Sequence, residues 1–180
     1  MVKRFFVVMF LTLIAFFPTV ATASDQETPM ALNELSIDMA FPMLYLAAGS
    51  VYAIPIFLTY QRVLATHLVL SVAPSFLYVR DNWSEESYVV LLWVGLAWHP
   101  FQEGLQGLFI GPAIAGAYSS NLFTAKRAGG SLMAGASLGY QILFSGNIDF
   151  DIEGGAAAGF APDGSLTAWP RMVLALGYRF

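Results

Sequence analysis

The last eleven residues of the chain, 170–180, alternate strictly in character. Counting back from the carboxyl end in steps of two, the residues are all large and apolar: Phe180, Tyr178, Leu176, Leu174 and Met172. The residues between them are small or cationic: Arg179, Gly177, Ala175, Val173 and Arg171. A period of two places successive side chains on opposite faces of a strand. The pattern therefore predicts a strand with one face for lipid and one for a crowded polar interior.

Seven earlier segments carry related patterns, at 32–44, 50–62, 67–80, 87–98, 105–118, 130–144 and 146–160. With the closing strand they make eight, the smallest usual number for a membrane barrel, and an even count returns both chain ends to the same side. The predicted fold is all-β, an eight-stranded antiparallel transmembrane barrel with up-and-down connections. Short turns are expected on the inner side of the membrane and longer loops on the outer side.

The composition requires an apolar solvent for much of the chain. Hydrophobic residues are 57% and charged residues 11%, whereas soluble domains carry roughly 25% charged residues. A bilayer can be crossed by helices or by a closed barrel. The uncharged run 40–60 makes a helical inner-membrane protein the competing interpretation. Pro42 and Pro55 within that run favour strands and turns, as do acids at i, i+2 and i+4 in 149–153.

The amino terminus has the features of an export signal. Lys3 and Arg4 precede an apolar run, 5–17, that is followed by an A-x-A site ending at Ala23. We expect residues 1–23 to be a cleaved signal peptide, 24–31 a periplasmic lead-in, and 32–180 the barrel. Losing Lys3 and Arg4 changes the formal charge from −4 to −6, and that acidity argues against a nucleic-acid partner. The chain has no cysteine, which excludes disulfides and thiolate chemistry.

Charged residues are predicted to meet inside the barrel where it closes. Glu34 and Asp38 lie on the first predicted strand, 149–153 supplies three acids to the seventh, and Arg171 and Arg179 lie on the last. Closure makes these strands neighbours, so we expect a charged seam formed by Glu34, Asp38, Asp149, Asp151, Glu153, Arg171 and Arg179. Arginine can bridge two carboxylates with its planar fork. A structural role is the first interpretation, and a cation or proton path is the alternative.

The sequence contains few residues that could act in catalysis. The histidines are His67, expected in the lumen, and His99, expected in an inner turn. His67 and Ser71 are four strand residues apart, roughly 13 Å at about 3.3 Å per residue, which is too far for a hydrogen bond. Two histidines at separate positions cannot chelate a metal, and arginine is expected to match the carboxylates. We therefore predict no catalytic residue, no metal site and no cofactor.

The carboxyl-terminal half carries a family resemblance. The segments GLFIGPAIAGAY, GGSLMAGASLGYQILF, IDFDIEGGAAAGF and PRMVLALGYRF resemble small eight-stranded outer-membrane barrels of the OmpA/OmpX/opacity type, and more specifically an uncharacterised group of such barrels in diderm bacteria. The resemblance implies insertion by the barrel-assembly machinery, with Tyr178 and Phe180 as the assembly signal. It also implies a location among outer-membrane lipids.

The resemblance specifies a barrel rather than a function. We expect a structural or surface-interaction role without turnover, and the sequence does not identify a surface ligand. The alternatives are a lipid-modifying outer-membrane enzyme and a narrow pore.

Overall fold

The computed structural model describes residues 33–39, 52–80, 86–102, 104–120, 129–145, 147–160 and 164–180. They form eight strands: β1 (Asn33–Asp38), β2 (Tyr52–Ala65), β3 (Leu68–Arg80), β4 (Glu86–Trp98), β5 (Gly107–Ser120), β6 (Gly129–Ser145), β7 (Ile148–Phe160) and β8 (Leu166–Arg179). Each strand pairs antiparallel with the next, and β1 pairs with β8, which closes the barrel. The predicted eight-stranded antiparallel barrel is confirmed. The predicted signal peptide and lead-in lie outside the described residues.

Closure depends on the pairing of the first and last strands. Their register runs from Glu34 opposite Arg179 to Asp38 opposite Ala175. Beyond the ladder, Asn33 N donates to Phe180 O at 3.1 Å and Phe180 N donates to Asn33 O at 2.9 Å. These bonds satisfy the backbone groups of strands that would otherwise be sheet edges.

The outward face is apolar around the barrel. Its side chains include several of the most exposed large hydrophobic residues in the described chain: Ile37, Ile114, Leu132, Phe144, Phe160 and Leu166. Soluble proteins rarely expose an apolar surface this continuous. None of the described residues forms a helix long and apolar enough to cross a membrane.

Trp93 of β4, the largest fully buried side chain of the described residues, lies in the lumen. It is 1% exposed and belongs to a buried cluster with Ala73, Leu91, Ala113, Ala115, Met133 and Ala157. In this cluster β4 supplies Leu91 and Trp93 and β6 supplies Met133, while β3, β5 and β7 supply alanine. The inward residues of β4 are apolar here because they form this core, so β4 is apolar on both faces, whereas β3 also places Ser75 inward.

Short connections gather at the end of the barrel where β8 finishes, which we call the turn end (in the described residues 66–67, 99–102, 104–106, 147 and Phe180). Two of these connections are tied together, because His99 N donates to His67 O at 2.9 Å and Gly104 N donates to Thr66 O at 2.9 Å. Gly104 has a φ of 71°, a conformation that glycine adopts without the steric penalty of a side chain. Backbone hydrogen bonds therefore join the β2–β3 and β4–β5 connections at the turn end.

The closing strand is longer than the alternation at 170–180 predicts. It begins at Leu166, and Leu166–Trp169 pair with Phe160–Ala157 of β7. Pro170 obscures this extension in the sequence because proline cannot donate a ladder hydrogen bond.

Replacing Trp93 by alanine is expected to destabilise the barrel by about 3–5 kcal/mol, because it leaves a cavity in the packed lumen. The matched control is Trp98→Ala, since Trp98 points outward and is 53% exposed. Urea unfolding of detergent-folded protein, followed by circular dichroism, measures both losses. Equal losses in the two variants would contradict this account of lumen packing.

Candidate functional site

Strand register assembles a polar layer across the lumen near the turn end. On β7 and β8, Asp151 lies opposite Ala175 and Asp149 opposite Gly177. On the other side of β8, Arg179 lies opposite Glu34 of β1. The register therefore brings Glu34 of β1 together with Asp149 and Asp151 of β7, and we call these three carboxylates the acid cluster. One oxygen from each lies within 4.8 Å of the others.

Arg179 is the cation that contacts the acid cluster. Its Nε lies 2.6 Å from Asp149 Oδ2 and 3.6 Å from Glu34 Oε2. Glu34 and Asp149 are both 0% exposed. Charges buried this deeply carry a desolvation cost that only close pairing offsets. One guanidinium serves two carboxylates, and the three acids with Arg179 carry a formal charge of −2.

Two glutamines complete the polar layer. Gln141 Nε2 donates to Glu34 Oε2 at 2.8 Å and to Gln61 Oε1 at 3.3 Å. Gln61 Nε2 in turn donates to Asp151 Oδ2 at 3.4 Å. The amides thus link β1, β2, β6 and β7 through side chains inside the lumen.

A second ion pair lies next to this layer along the lumen. Arg171 holds Glu153 with two bonds, Nε to Oε1 at 2.6 Å and Nη2 to Oε2 at 3.2 Å. The same guanidinium lies over the ring of Trp93, with 5.0 Å between its Cζ and the ring centroid. The pair is formally neutral, and the ring of Trp93 covers the cation on one side.

Asp38 is bonded to the backbone of β8 and borders the same cavity as Arg171. Its Oδ1 accepts a hydrogen bond from Leu174 N at 3.2 Å. The predicted charged seam therefore divides into three parts: the acid cluster with Arg179, the Glu153–Arg171 pair, and Asp38 at the β1–β8 junction.

The histidines differ from the sequence expectation. His67, predicted to face the lumen, lies exposed in the turn between β2 and β3, where Nδ1 is 3.1 Å from Gln102 O. His99 follows β4 as predicted, but it is fully buried, with its ring 5.5 Å from that of Phe109. His99 Nδ1 donates to Gln106 O at 2.9 Å. Burial lowers the pKa of His99.

Sequence reasoning missed three residues of this site. Gln61 shares the inward face of β2 with Thr59, and only the strand register reveals that it lies opposite Glu34. Gln141 lies on the inward face of β6, and nothing in the sequence pattern assigns it Glu34 as a partner. The sequence pattern did not indicate that Trp93 contacts Arg171. Because β4 is apolar on both faces, the pattern does not show which of its residues face the lumen.

The comparisons with known proteins concern the fold. No protein-family model matches the chain, and no curated protein sequence matches it. Among solved structures, the outer membrane protein Ail of Yersinia pestis in a phospholipid bilayer nanodisc is similar, with a TM-score of 0.51 and 12% sequence identity. The match covers 83% of this chain and 99% of Ail. The chain therefore has the fold of a small eight-stranded outer-membrane barrel.

Substitution of Arg171 by alanine is expected to cost about 3–5 kcal/mol of stability, because Glu153 is left buried and unpaired. The measurement is urea unfolding together with the temperature at which the folded band disappears on unheated gels. The double substitution Arg171→Met with Glu153→Gln should recover most of the loss, since no buried charge is then left alone. A single variant as stable as the parent would refute the structural role of this pair.

Below pH 7, His99 should make the barrel less stable. The unfolded chain takes up a proton near pH ~6.5, whereas the buried ring, with its lowered pKa, stays neutral. Stability therefore falls with decreasing pH from about 6.5 to the folded-state pKa, by up to about 1.4 kcal/mol per pH unit. His99→Gln keeps a donor for Gln106 O and should have a shallower pH dependence. Parallel stability curves for parent and variant between pH 7 and 5 would contradict this.

Proposed function

We propose that this protein is an integral outer-membrane barrel of a diderm bacterium with a structural or surface-interaction role and no catalytic turnover. The observation that carries the proposal is the contrast between its two faces. The outward face is apolar on every side of a closed barrel, and the lumen is occupied by packed and ion-paired side chains. An apolar, lipid-facing surface around a packed lumen favours a membrane-anchored structural role over a channel.

The outward face supports a position among outer-membrane lipids. Closure satisfies the backbone without water, which hydrocarbon requires of a spanning sheet. Aromatic rings stand at strand ends, including Trp98 and Phe101 at the turn end and Tyr88 and Tyr118 towards the opposite end, the last two 6.1 Å apart. Rings with a polar tip settle at headgroup level. The turn end would then face the periplasm.

Packing in the lumen supports a role other than conduction. Trp93 and the Arg171 guanidinium lie across its middle, and the acid cluster with Arg179 lies across the turn end. A cavity of about 80 Å³ borders Arg171 and is lined largely by apolar side chains, including Leu77, Val89 and Leu91. A barrel of eight strands has an interior that side chains just fill.

The positions of the histidines support the absence of turnover. A serine nucleophile needs a base within hydrogen-bond reach. His67 is exposed in the turn between β2 and β3, and His99 is fully buried beside Phe109. His99 also lies at the turn end, away from the outer leaflet in the proposed orientation.

Export and assembly follow from the two chain ends. Residues 1–23 would be removed as a signal peptide after export. Tyr178 and Phe180 would then be read by the barrel-assembly machinery, and both rings point outward. Phe180 also makes the backbone bonds to Asn33 that complete the closure. A surface ligand would meet the outer loops, and 40–51, 81–85, 121–128 and 161–163 lie outside the described residues.

Expression of the full chain in a diderm host should place it in the outer-membrane fraction as a heat-modifiable band. In planar bilayers the purified protein should give no stable conductance, because the lumen is filled. Lipid A and phospholipids from the expressing host should have the same masses as those from the host with an empty vector.

Each alternative gives a different result in the same experiment. Discrete conductance steps would identify a narrow pore. A new acylation or deacylation mass, absent with the empty vector, would identify a lipid-modifying enzyme. Recovery in the inner-membrane fraction would overturn the proposed location.

A further inference from the structure

The cavity that borders Arg171 lies in the half of the barrel away from the turn end. Its volume is about 80 Å³, and its lining includes Trp93, Trp169, Leu77 and Val89. On β4 the chain runs from Val89 to Trp93 towards the turn end, so Trp93 lies at the end of the cavity nearer the turn end. The interior of an eight-stranded barrel is normally just filled by its own side chains. This unfilled volume is therefore a local exception.

The size of the cavity fits one small organic molecule. Roughly 10–15 Å³ of cavity is enough for one water molecule, so a volume of about 80 Å³ has room for roughly six. Six waters take up about 180 Å³ in the liquid. One benzene ring with a short substituent has a volume of the same order.

The lining favours an aromatic ring. Leu77 of β3 and Val89 of β4 are opposite each other in the ladder, and both are buried. Trp93 is fully buried, and Trp169 packs against the same core cluster. Cavities lined by apolar side chains take up apolar molecules rather than water. The indoles provide faces and edges against which a further aromatic ring packs favourably.

Two polar groups on the lining indicate that the ligand carries a hydrogen-bond acceptor. The Arg171 side chain is 10% exposed and binds Glu153 through Nε and Nη2. Among the contacts of the described residues, no hydrogen bond uses Arg171 Nη1 or the hydroxyl of Ser75. Ser75 is buried opposite Leu91, and it lines the cavity as Arg171 does. The cavity therefore has two donors that the protein leaves for an acceptor.

The charges around the cavity favour an uncharged acceptor. Glu153 already neutralises Arg171, and Asp38 also lines the cavity. A ligand carboxylate would bring a third negative charge to one guanidinium, and a ligand ammonium would face that guanidinium directly. Both arrangements place an unpaired charge in a buried site. A carbonyl oxygen accepts hydrogen bonds without adding a charge.

We propose that the cavity between Trp93, Trp169 and Arg171 binds a small uncharged carbonyl compound with an aromatic body. The ring packs between the indoles and the aliphatic side chains, and the carbonyl oxygen accepts a hydrogen bond from Arg171 Nη1. Glu153 positions the guanidinium with this nitrogen available. Trp93 bounds the cavity on the side of the turn end, so binding opens no path through the barrel. The site needs the closed barrel and does not depend on the proposed surface role.

The test uses the full chain folded in detergent micelles, with acetophenone as the probe and NMR of the indole N–H groups as the readout. Trp93 lines the cavity, whereas Trp98 is 53% exposed on the lipid face and reports probe that dissolves in the micelle. Acetophenone should shift the Trp93 signal to saturation and the Trp98 signal only in proportion to concentration. Ethylbenzene, which lacks the oxygen, should bind at least about 10-fold more weakly because it accepts no hydrogen bond from the guanidinium. Benzoate should not bind.

Substitutions locate the binding in the cavity. Val89→Phe places a ring there and should abolish acetophenone binding, with an unfolding temperature at or above that of the parent because a cavity is filled. The matched control, Val90→Phe, adds the same ring on the opposite face of β4 and should bind like the parent. Arg171→Met with Glu153→Met removes the donor without leaving a buried charge, and acetophenone should then bind no more tightly than ethylbenzene.

Parallel, unsaturated shifts of Trp93 and Trp98 would overturn the proposal, because they show partition into the micelle alone. Equal affinity of the parent for acetophenone and ethylbenzene would also overturn it, as would binding to a folded Val89→Phe variant. Should Val89→Phe not fold, Leu77→Phe fills the same cavity from the facing position on β3, and the same criterion applies to it.

Discussion

The closing pair of strands is the constraint on which the rest of the structure depends. Hydrocarbon offers no partner to an unpaired amide or carbonyl, so a spanning sheet must have no edge. Here closure requires β1 and β8, near the two ends of the chain, to meet in one register. Loop closure over so many residues has an entropic cost that only contacts formed after closure can offset. Backbone bonds between Asn33 and Phe180 and the ion pair of Glu34 with Arg179 are among these contacts. The ion pair of Glu34 with Arg179 therefore lies at the β1–β8 junction that closes the barrel.

Closure also determines how the lumen is filled. Eight strands enclose a space that admits side chains but little water. Trp93 occupies it because the alanines of the neighbouring strand β5, together with Ala157 of β7, leave space for the indole ring. Arg171 then lies on the indole ring and holds Glu153. A cation in this position is tolerated because an aromatic face and a carboxylate surround it. Packing and electrostatics in the lumen therefore depend on each other. The small alanine side chains make space for Trp93, and the ring of Trp93 in turn contacts the charged guanidinium of Arg171.

The sequence predicts the positions of the strands far better than it predicts the side-chain contacts between them. Alternation in 105–160 is clear because inward glycine and alanine contrast with outward leucine and isoleucine. The alternation is weak in β3 and β4. There Val69, Leu77 and Leu91 face the buried interior, and in the sequence they resemble residues that face lipid. Charged residues on β1, β7 and β8 could be grouped because closure makes these strands neighbours. Gln61 and Gln141 could not be assigned a role, since the bond between them depends on curvature that brings β2 and β6 together across the lumen. The placement of His67 was wrong because strand length decides whether it lies in a strand or in a turn. His99 lies in a turn as predicted, but its burial depends on the neighbouring turns.

The division of the charged seam shows how charge count and geometry act separately. Glu153 and Arg171 are matched one to one and bonded twice, so their pairing is complete. Arg179 faces two carboxylates and meets them unequally, at 2.6 Å and 3.6 Å. Its guanidinium cannot approach Glu34 more closely without leaving Asp149, because the two acids lie on strands on opposite sides of β8. The glutamines donate to the oxygens that Arg179 serves poorly, yet amides bring no charge. A second cationic side chain would need lumen volume that the barrel lacks beside Gly177.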